Sequence, residues 1–165
     1  MAKLLKFDAE AKSKLLDGIT KLAKAVSTTL GPCGRNVIID EFGQVHSTKD
    51  GVTVAKSIVL DDAFEAVGAN AMKEVAAKSN DNCGDGTTTS TILAAEIFKN
   101  GLKYTGLGTN ATLIKNGIKK AADRACVLIK EASKPADGKD DIRRICTVSA
   151  NGDKQIGDMI ADVLD

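Results

Sequence analysis

The chain has 165 residues, enough for about one domain; 43% are apolar, 3% are aromatic and none is Trp, so its core must be built of Ala, Val, Ile and Leu, which favours closely packed helices. Twenty-three Lys and Arg against 22 Asp and Glu leave a net charge of +1, which argues against a nucleic-acid-binding stripe or an acidic tail as the working device. Four cysteines (Cys33, Cys83, Cys126, Cys146) form no C-x-x-C pair, which argues against zinc; with no secretory signal, Arg-rich transit peptide or apolar run of about 18 residues, free thiols, no membrane and a cytoplasmic location are expected.

The first predicted element is a helix over Asp8 to Thr29, with Asp8 as N-cap and an apolar stripe of Ala11, Leu15, Ile19, Leu22 and Val26. Gly31-Pro32 ends it. Asn36 to Asp40 reads as a strand, a turn follows at Glu41-Phe42-Gly43, and Gln44 to Lys49 returns as its partner. Asp50-Gly51 is a second turn, and Val52 to Leu60 fits either extended chain or helix. Asp62 opens the next helix, with Glu65 in a capping-box relation and a face of Phe64, Val67, Gly68, Ala71, Met72, Val75 and Ala76.

The signal breaks at "NDNCGDGTTTST", and a largely apolar helix then runs to about Lys103. "TGLGTN" is a loop with Asn110 as the next cap, followed by a stripe of Ile114, Ile118, Ala121, Ala125, Leu128 and Ile129. Pro135 to Gly138 is a candidate domain boundary. Ile142, Ile145 and Cys146 predict a short helix, and Asp153 caps another striped by Ile156, Met159, Ile160 and Val163. That stripe is still running at Asp165, with no capping Gly and no basic last turn, which reads as a cut through a longer protein.

Three glycine loops stand next to regular elements: "TLGPCGR" (29–35), "TKDGVTV" (48–54) and "GDGTTT" (84–89). At the third, Gly84 and Gly86 let a ligand approach the backbone, and a helix N-terminus with Thr hydroxyls suits phosphate. Asp85 would repel phosphate unless a divalent cation lay between them, so the stretch reads as a Mg-nucleotide site. The bland alternative is a capped helix after a turn, with a wet first turn of Thr. The first loop is ordinary helix punctuation or a second wall around phosphates. In the middle loop, Asp50 is a turn residue or a carboxylate that orients or deprotonates an attacking water. No G-x-x-x-x-G-K-[ST] or G-x-G-x-x-G is present, so any nucleotide site lies outside those two designs.

Taken together, "TLGPCGRNVIID", "TKDGVTVAKSI", "GANAMKEVAAKSNDNCGDGTTTSTILA" and "TVSANGD" resemble the N-terminal third of a group I chaperonin subunit of the GroEL type, over the whole chain from the first lysines to Asp165. The resemblance implies a mainly α fold: equatorial-domain helices with a β-hairpin, then the start of an intermediate hinge domain. Residues 1–132 would be the N-terminal part of the equatorial ATP-binding domain and 133–165 the start of the intermediate domain. It implies an ATPase that drives ring cycling and refolds enclosed non-native proteins. ATP, Mg2+ and K+ are the implied cofactors. Thr29, Leu30, Gly31 and Pro32 would contact phosphates, with Lys49 beside them, and the Thr29 and Lys49 carbonyls would lie near K+. Asp85 would hold Mg2+, Gly86, Thr87, Thr88 and Thr89 would cradle phosphate, and Asp50 would act on the attacking water. Implied partners are identical subunits in a seven-membered ring, non-native clients and a lid co-chaperonin. The hairpin would pair with a neighbouring subunit's terminal strand.

Some features depart from the family pattern. Cys33 stands where the family usually has Lys, and Cys83 where it usually has Ala. Either they are small residues tolerated in tight loops, or they flank the phosphates and their oxidation disturbs binding. The Glu41-Phe42-Gly43 turn is one residue shorter than usual, and His46, the one histidine, is expected to be an exposed strand residue. The apical domain, the returning half of the intermediate domain and the C-terminal equatorial helices are absent, so the Ile114 to Ile129 stripe should be exposed. A naturally short protein that decoys or modulates full-length rings is the alternative reading of the same chain.

Overall fold

The computed structural model describes residues 4–41 and 43–164. Among these described residues, seven helices and one antiparallel hairpin follow one another: α1 (Asp8–Ser27), β1 (Val37–Glu41), β2 (Gln44–Thr48), α2 (Gly51–Ser57), α3 (Ala63–Cys83), α4 (Thr87–Gly106), α5 (Ala111–Ala132), α6 (Gly138–Ser149) and α7 (Lys154–Leu164). The mainly helical class with a hairpin is the expected one. Phe42, the middle of the expected turn, lies outside the described residues, as do residues 1–3 and Asp165. The chain forms two compact units, one ending at Asn110 and one beginning at Ala111.

In the first unit the apolar stripe of α1 supplies Ile19, Leu22 and Val26 to a core shared with Val54 and Ala55 of α2, Ala69, Met72 and Ala76 of α3, and Ala95 of α4. So many alanines bring helix axes close, and two glycines bring them closer. A Cβ on Gly18 would lie 1.9 Å from the Glu65 carbonyl oxygen, and one on Gly68 would lie 2.2 Å from that of Leu15. The two contacts run in opposite order along α1 and α3, so these helices pack antiparallel with their backbones touching. In the hairpin, Val37 pairs with Thr48, Ile39 with His46 and Glu41 with Gln44. Ile39 is buried and Val37 packs on the helical core, whereas His46 is exposed as expected.

Several local expectations are corrected. Asp8 does not cap α1: it is the first helical residue, with φ of 50°, and Phe7 precedes it without a side-chain cap. The first turn is tied instead by the Lys6–Glu10 ion pair, and the Lys6 ammonium sits 5.0 Å from the Phe64 ring centre. Helix α1 ends at Ser27, two residues early, because Thr28 turns back on Ala25 and Val26. The ambiguous stretch after Asp50 is a helix, α2.

Asp62 does cap α3, its Oδ1 accepting from the N–H groups of Phe64 (2.9 Å) and Glu65 (3.1 Å). Glu65, however, does not reach back to complete a capping box. It is buried against α1, where an unpaired carboxylate would be costly, and it takes Lys14 (2.9 Å) and Lys21 as partners instead. Lys14 also reaches Asp62 at 2.8 Å. The Lys14 hydrogen bond, helped by the Glu65 N–H, holds the Asp62 carboxyl down at about 2. Lys21 first and Lys14 second lower that of Glu65, and the Lys14 ammonium is raised in return.

In the second unit α6 and α7 form an antiparallel helical hairpin. Its turn uses Asn151 and Gly152 at φ of 54° and 90°, and Asp153 Oδ1 caps α7 as expected, accepting from Gln155 N–H at 2.9 Å. Gly157 leaves no room for a Cβ, which would lie 2.3 Å from Thr147 Oγ1, so the two helices touch there. Cys146 and Ala161 are buried beside this contact, and Arg143–Asp158 (2.8 Å) and Lys139–Asp162 (3.2 Å) bridge the helices. Helix α5 buries none of its residues, as the sequence led one to expect.

Candidate functional site

The first loop leaves α1 through Thr28 and folds on itself. Gly31 takes φ of 71°, Gly34 N–H donates to the Gly31 carbonyl at 3.0 Å, and Arg35 N–H donates to that of Thr28 at 2.8 Å. Gly34 is required by closeness: its Cβ would lie 2.3 Å from the Thr29 carbonyl oxygen. Thr29 is buried, with its hydroxyl donating to the Val26 carbonyl at 2.8 Å, while Leu30, Gly31, Pro32 and Cys33 are exposed.

The second loop joins β2 to α2. Lys49 is exposed at its apex, and Asp50 N–H donates to Thr48 Oγ1 at 3.0 Å. Asp50 then caps α2: its Oδ2 accepts from Thr53 N–H at 2.9 Å and also from the Thr53 hydroxyl. Its Oδ1 has no hydrogen-bond partner among the described residues.

The third loop joins α3 to α4. Gly84 ends α3 with φ of 69°, and Gly86 precedes α4 with φ of 77°; neither glycine faces a close neighbour. Between them Asp85 is exposed. Its Oδ1 accepts from Gly86 N–H at 2.6 Å, its carbonyl accepts from the Ser79 hydroxyl at 3.2 Å, and Oδ2 has no hydrogen-bond partner among the described residues. Helix α4 starts without a side-chain cap, and its first ladder bond runs from Ser90 N–H to the Gly86 carbonyl at 2.9 Å. The N–H groups of Thr87, Thr88 and Thr89 therefore precede the ladder.

The hydroxyl run has divided labour. Ser90 and Thr91 spend their hydroxyls on the Thr87 carbonyl, at 3.0 and 2.7 Å. Thr87 is buried, Thr89 is exposed, and Thr88 Oγ1 lies 3.1 Å from Thr29 Oγ1. Since the Thr29 proton is engaged by Val26, Thr88 is the donor in that pair.

These contacts bring the three loops together. Thr88 joins the third to the first. Gly51 joins the third to the second, because its missing Cβ would fall 2.3 Å from Thr88 Oγ1, 3.0 Å from Thr87 Oγ1 and 3.2 Å from Thr88 N. The three loops carry uncapped helix N–H donors, left-handed glycines with open space beside them, and two carboxylates, each with one oxygen that has no hydrogen-bond partner among the described residues. Such a donor set fits a polyanion neutralised by a cation. No group of three His, Cys, Asp or Glu side chains gathers as a metal centre among the described residues. A site in which one carboxylate shares a hard cation with substrate phosphates needs no such group.

Three residues of these loops have no role in the sequence reading: Gly51, which there is a turn glycine, and Thr53 and Ser79. Thr53 does carry a signal, since a hydroxyl three residues after a helix-opening Asp is where a cap can be reinforced. Cys33 and Cys83 are both exposed and unbridged.

A sequence model described as the TCP-1/cpn60 chaperonin family matches residues 22–165. Among solved structures, the chain is similar to the chaperonin gp146 from the bacteriophage EL 2 (Pseudomonas aeruginosa), solved in the presence of ATP-BeFx. The identity is 24% and the TM-score 0.79, over 98% of this chain and 28% of that one. It is similar as well to a group III chaperonin in the open state, at 24% identity and a TM-score of 0.74, over 93% of this chain and 31% of that one. The chain thus spans under a third of the length of either solved relative. The helices and hairpin carry a chaperonin fold.

Proposed function

The chain belongs to the TCP-1/cpn60 chaperonin family, and from that premise we propose that it is the Mg-ATP-binding part of an ATP-hydrolysing chaperonin subunit. The observation that carries this reading is the meeting of the three glycine loops at Thr88, through Thr29 on one side and Gly51 on the other. Phosphate binds at the start of α4, where the N–H groups of Thr87, Thr88 and Thr89 and the open backbone at Gly86 present donors without side-chain competition. Thr29, Leu30, Gly31 and Pro32 form the facing wall, and Lys49 adds positive charge at the rim. Asp85 would hold Mg2+, and the Thr29 and Lys49 carbonyls would lie near K+. The cation, when bound, neutralises phosphate charge as it builds up during transfer. Asp50 Oδ1, the oxygen not used to cap α2, orients the attacking water and accepts its proton.

In this reading residues 1–132 belong to the equatorial domain and residues 133–165 begin the intermediate domain. The complete subunit is of the group I type, assembles with copies of itself into a seven-membered ring, works in the cytoplasm and refolds non-native proteins under a lid co-chaperonin. The described residues hold no helix long and apolar enough to cross a membrane.

One pair of variants in the complete protein tests the site. Asp50→Ala should leave Mg-ATP affinity within about threefold while cutting turnover by about 10²-fold or more, as for loss of a general base. Asp85→Ala should weaken Mg-ATP binding and turnover together. Calorimetric titration and steady-state phosphate release separate the two; an Asp50→Ala protein that loses binding but keeps turnover per bound nucleotide refutes the assignment.

A further inference from the structure

We infer that Thr53 is a positioning residue for the Asp50 carboxylate, an inference that rests on the reading of Asp50 given above. An N-cap needs one bond, from a backbone N–H two or three residues into the helix to the cap side chain. Thr53 N–H already supplies it at 2.9 Å. The Thr53 hydroxyl then donates to the same oxygen, Oδ2, which the cap alone does not require. Within a helix a Thr or Ser hydroxyl commonly turns back to a carbonyl three or four residues earlier, as Ser57 does to the Val54 carbonyl at 2.9 Å at the other end of α2. Thr53 spends its proton on the catalytic side chain instead.

Two donors on one oxygen fix the carboxylate plane, because rotation about the Cβ–Cγ bond of Asp50 would break both. Oδ2 is thereby held against α2, and Oδ1 is left with no hydrogen-bond partner among the described residues. The branched Cβ of Thr53 is stiff, so the hydroxyl donor is itself fixed at little entropic cost. Gly51, packed against Thr87 and Thr88, anchors the backbone between cap and donor. A general base held in one orientation raises turnover without adding to nucleotide affinity. A hydroxyl that merely stabilised α2 would have no such selective effect.

The test compares Thr53→Val, Thr53→Ser and Asp50→Asn in the complete protein carrying this chain. Thr53→Val keeps the shape and the capping N–H and removes the hydroxyl; Thr53→Ser restores it. The expected result is a fall in kcat of about three- to thirtyfold for Thr53→Val with KM for Mg-ATP unchanged within about twofold, and recovery in Thr53→Ser. Thr53→Ala makes the same comparison should the Val variant fail to assemble. The inference is overturned alone if Asp50→Asn abolishes turnover while Thr53→Val matches the parent, or if the Val and Ser variants are impaired equally, or if only KM moves. If Asp50→Asn turns over like the parent, the reading of Asp50 falls first and the inference with it.

Discussion

A methyl group at residue 51 has nowhere to go: its neighbours would be Thr88 Oγ1 at 2.3 Å, Thr87 Oγ1 at 3.0 Å and Thr88 N at 3.2 Å. Two responses are open to the protein. Thr88 can rotate and give up its bond to Thr29, or α2 can slide away from α4 and carry Asp50 with it. Either response spoils the junction of the loops. Gly51→Ala should therefore lower both Mg-ATP affinity and turnover, by about tenfold or ~1.4 kcal/mol. Gly101→Ala in α4 is the control: a Cβ there meets nothing within 4 Å. It should leave nucleotide binding alone and raise the melting temperature, since Ala is better than Gly in a helix by about 1 kcal/mol. Titration calorimetry and thermal melts of the two variants check this; equal effects would mean that the closeness at Gly51 is unimportant. At this scale the sequence singled out three loops by their glycines, aspartates and hydroxyls taken together, since no one of the stretches alone separates a ligand loop from a capped turn. It could not tell that Ser90 and Thr91 serve their own helix or that Thr88 is spent on Thr29. Those assignments depend on which rotamer each hydroxyl takes against residues up to 59 positions away.

Helices α1 and α3 meet through Gly18 and Gly68, and around that meeting the charges of Lys14, Lys21, Asp62 and Glu65 are arranged. Adding a methyl at either glycine brings the helix-propensity gain of about 1 kcal/mol noted for Gly→Ala. Against it stands overpacking, which costs about 1–3 kcal/mol when side chains can yield and more when backbone must move. Here the obstacles are carbonyl oxygens at 1.9 and 2.2 Å, which cannot rotate aside, so overpacking wins. Gly18→Ala and Gly68→Ala should each lower the urea midpoint, with the slope unchanged, and disturb the three loops because α1 leads directly into the first of them. The charges predict a pH dependence as well. Asp62 has a folded pKa below its unfolded one, about 2 against 3.8, and Glu65 is shifted in the same direction. Their contribution to stability is thus complete above the ordinary carboxylate range and is lost as pH falls through it toward about 2. Lys14 shifts upward, so its contribution persists through neutral pH and is lost only above the ordinary lysine range. Asp62→Asn keeps a competent N-cap but cannot titrate. Its urea midpoint should fall less steeply with acid than the parent's, and parallel profiles would remove Asp62 from this account. The elements themselves were largely legible, since α1 and α3 have long periodic faces and α4 is a long, largely apolar run. Helix α2 was not, because seven residues are too few to display a period. The false capping box at Glu65 has a similar cause: the spacing was right, but α1 had claimed the side chain.

The two units differ in how well their faces are matched. In the first, four helices share a core in which Leu22, Val26, Val54 and Thr91 are wholly buried. In the second, α6 and α7 bury Cys146, Gly157 and Ala161 between them, yet Ile145, Val148, Met159 and Val163 are all more than half exposed. Helix α5 goes further, with Leu113 and Ile129 each 67% exposed, and Val127 and Leu128 nearly half exposed. An apolar stripe in a sequence states that a helix requires a partner; it does not say where in the chain, or in which chain, the partner lies. That is why the stripe of α5 could be foreseen and its covering could not. Exposed apolar area of this extent has a measurable consequence. The 165-residue chain prepared by itself should bind a dye such as ANS strongly and should associate as its concentration rises. Leu113→Gln with Ile129→Gln should reduce both effects. Because those side chains are not buried, the pair should change the stability of the first unit by no more than about 0.5 kcal/mol. Dye fluorescence, sedimentation velocity and a urea melt on one preparation read all three quantities. A chain that stays monomeric and dark to the dye would mean that these helices find cover within the 165 residues. A double variant that unfolds the first unit would mean that α5 is part of its support.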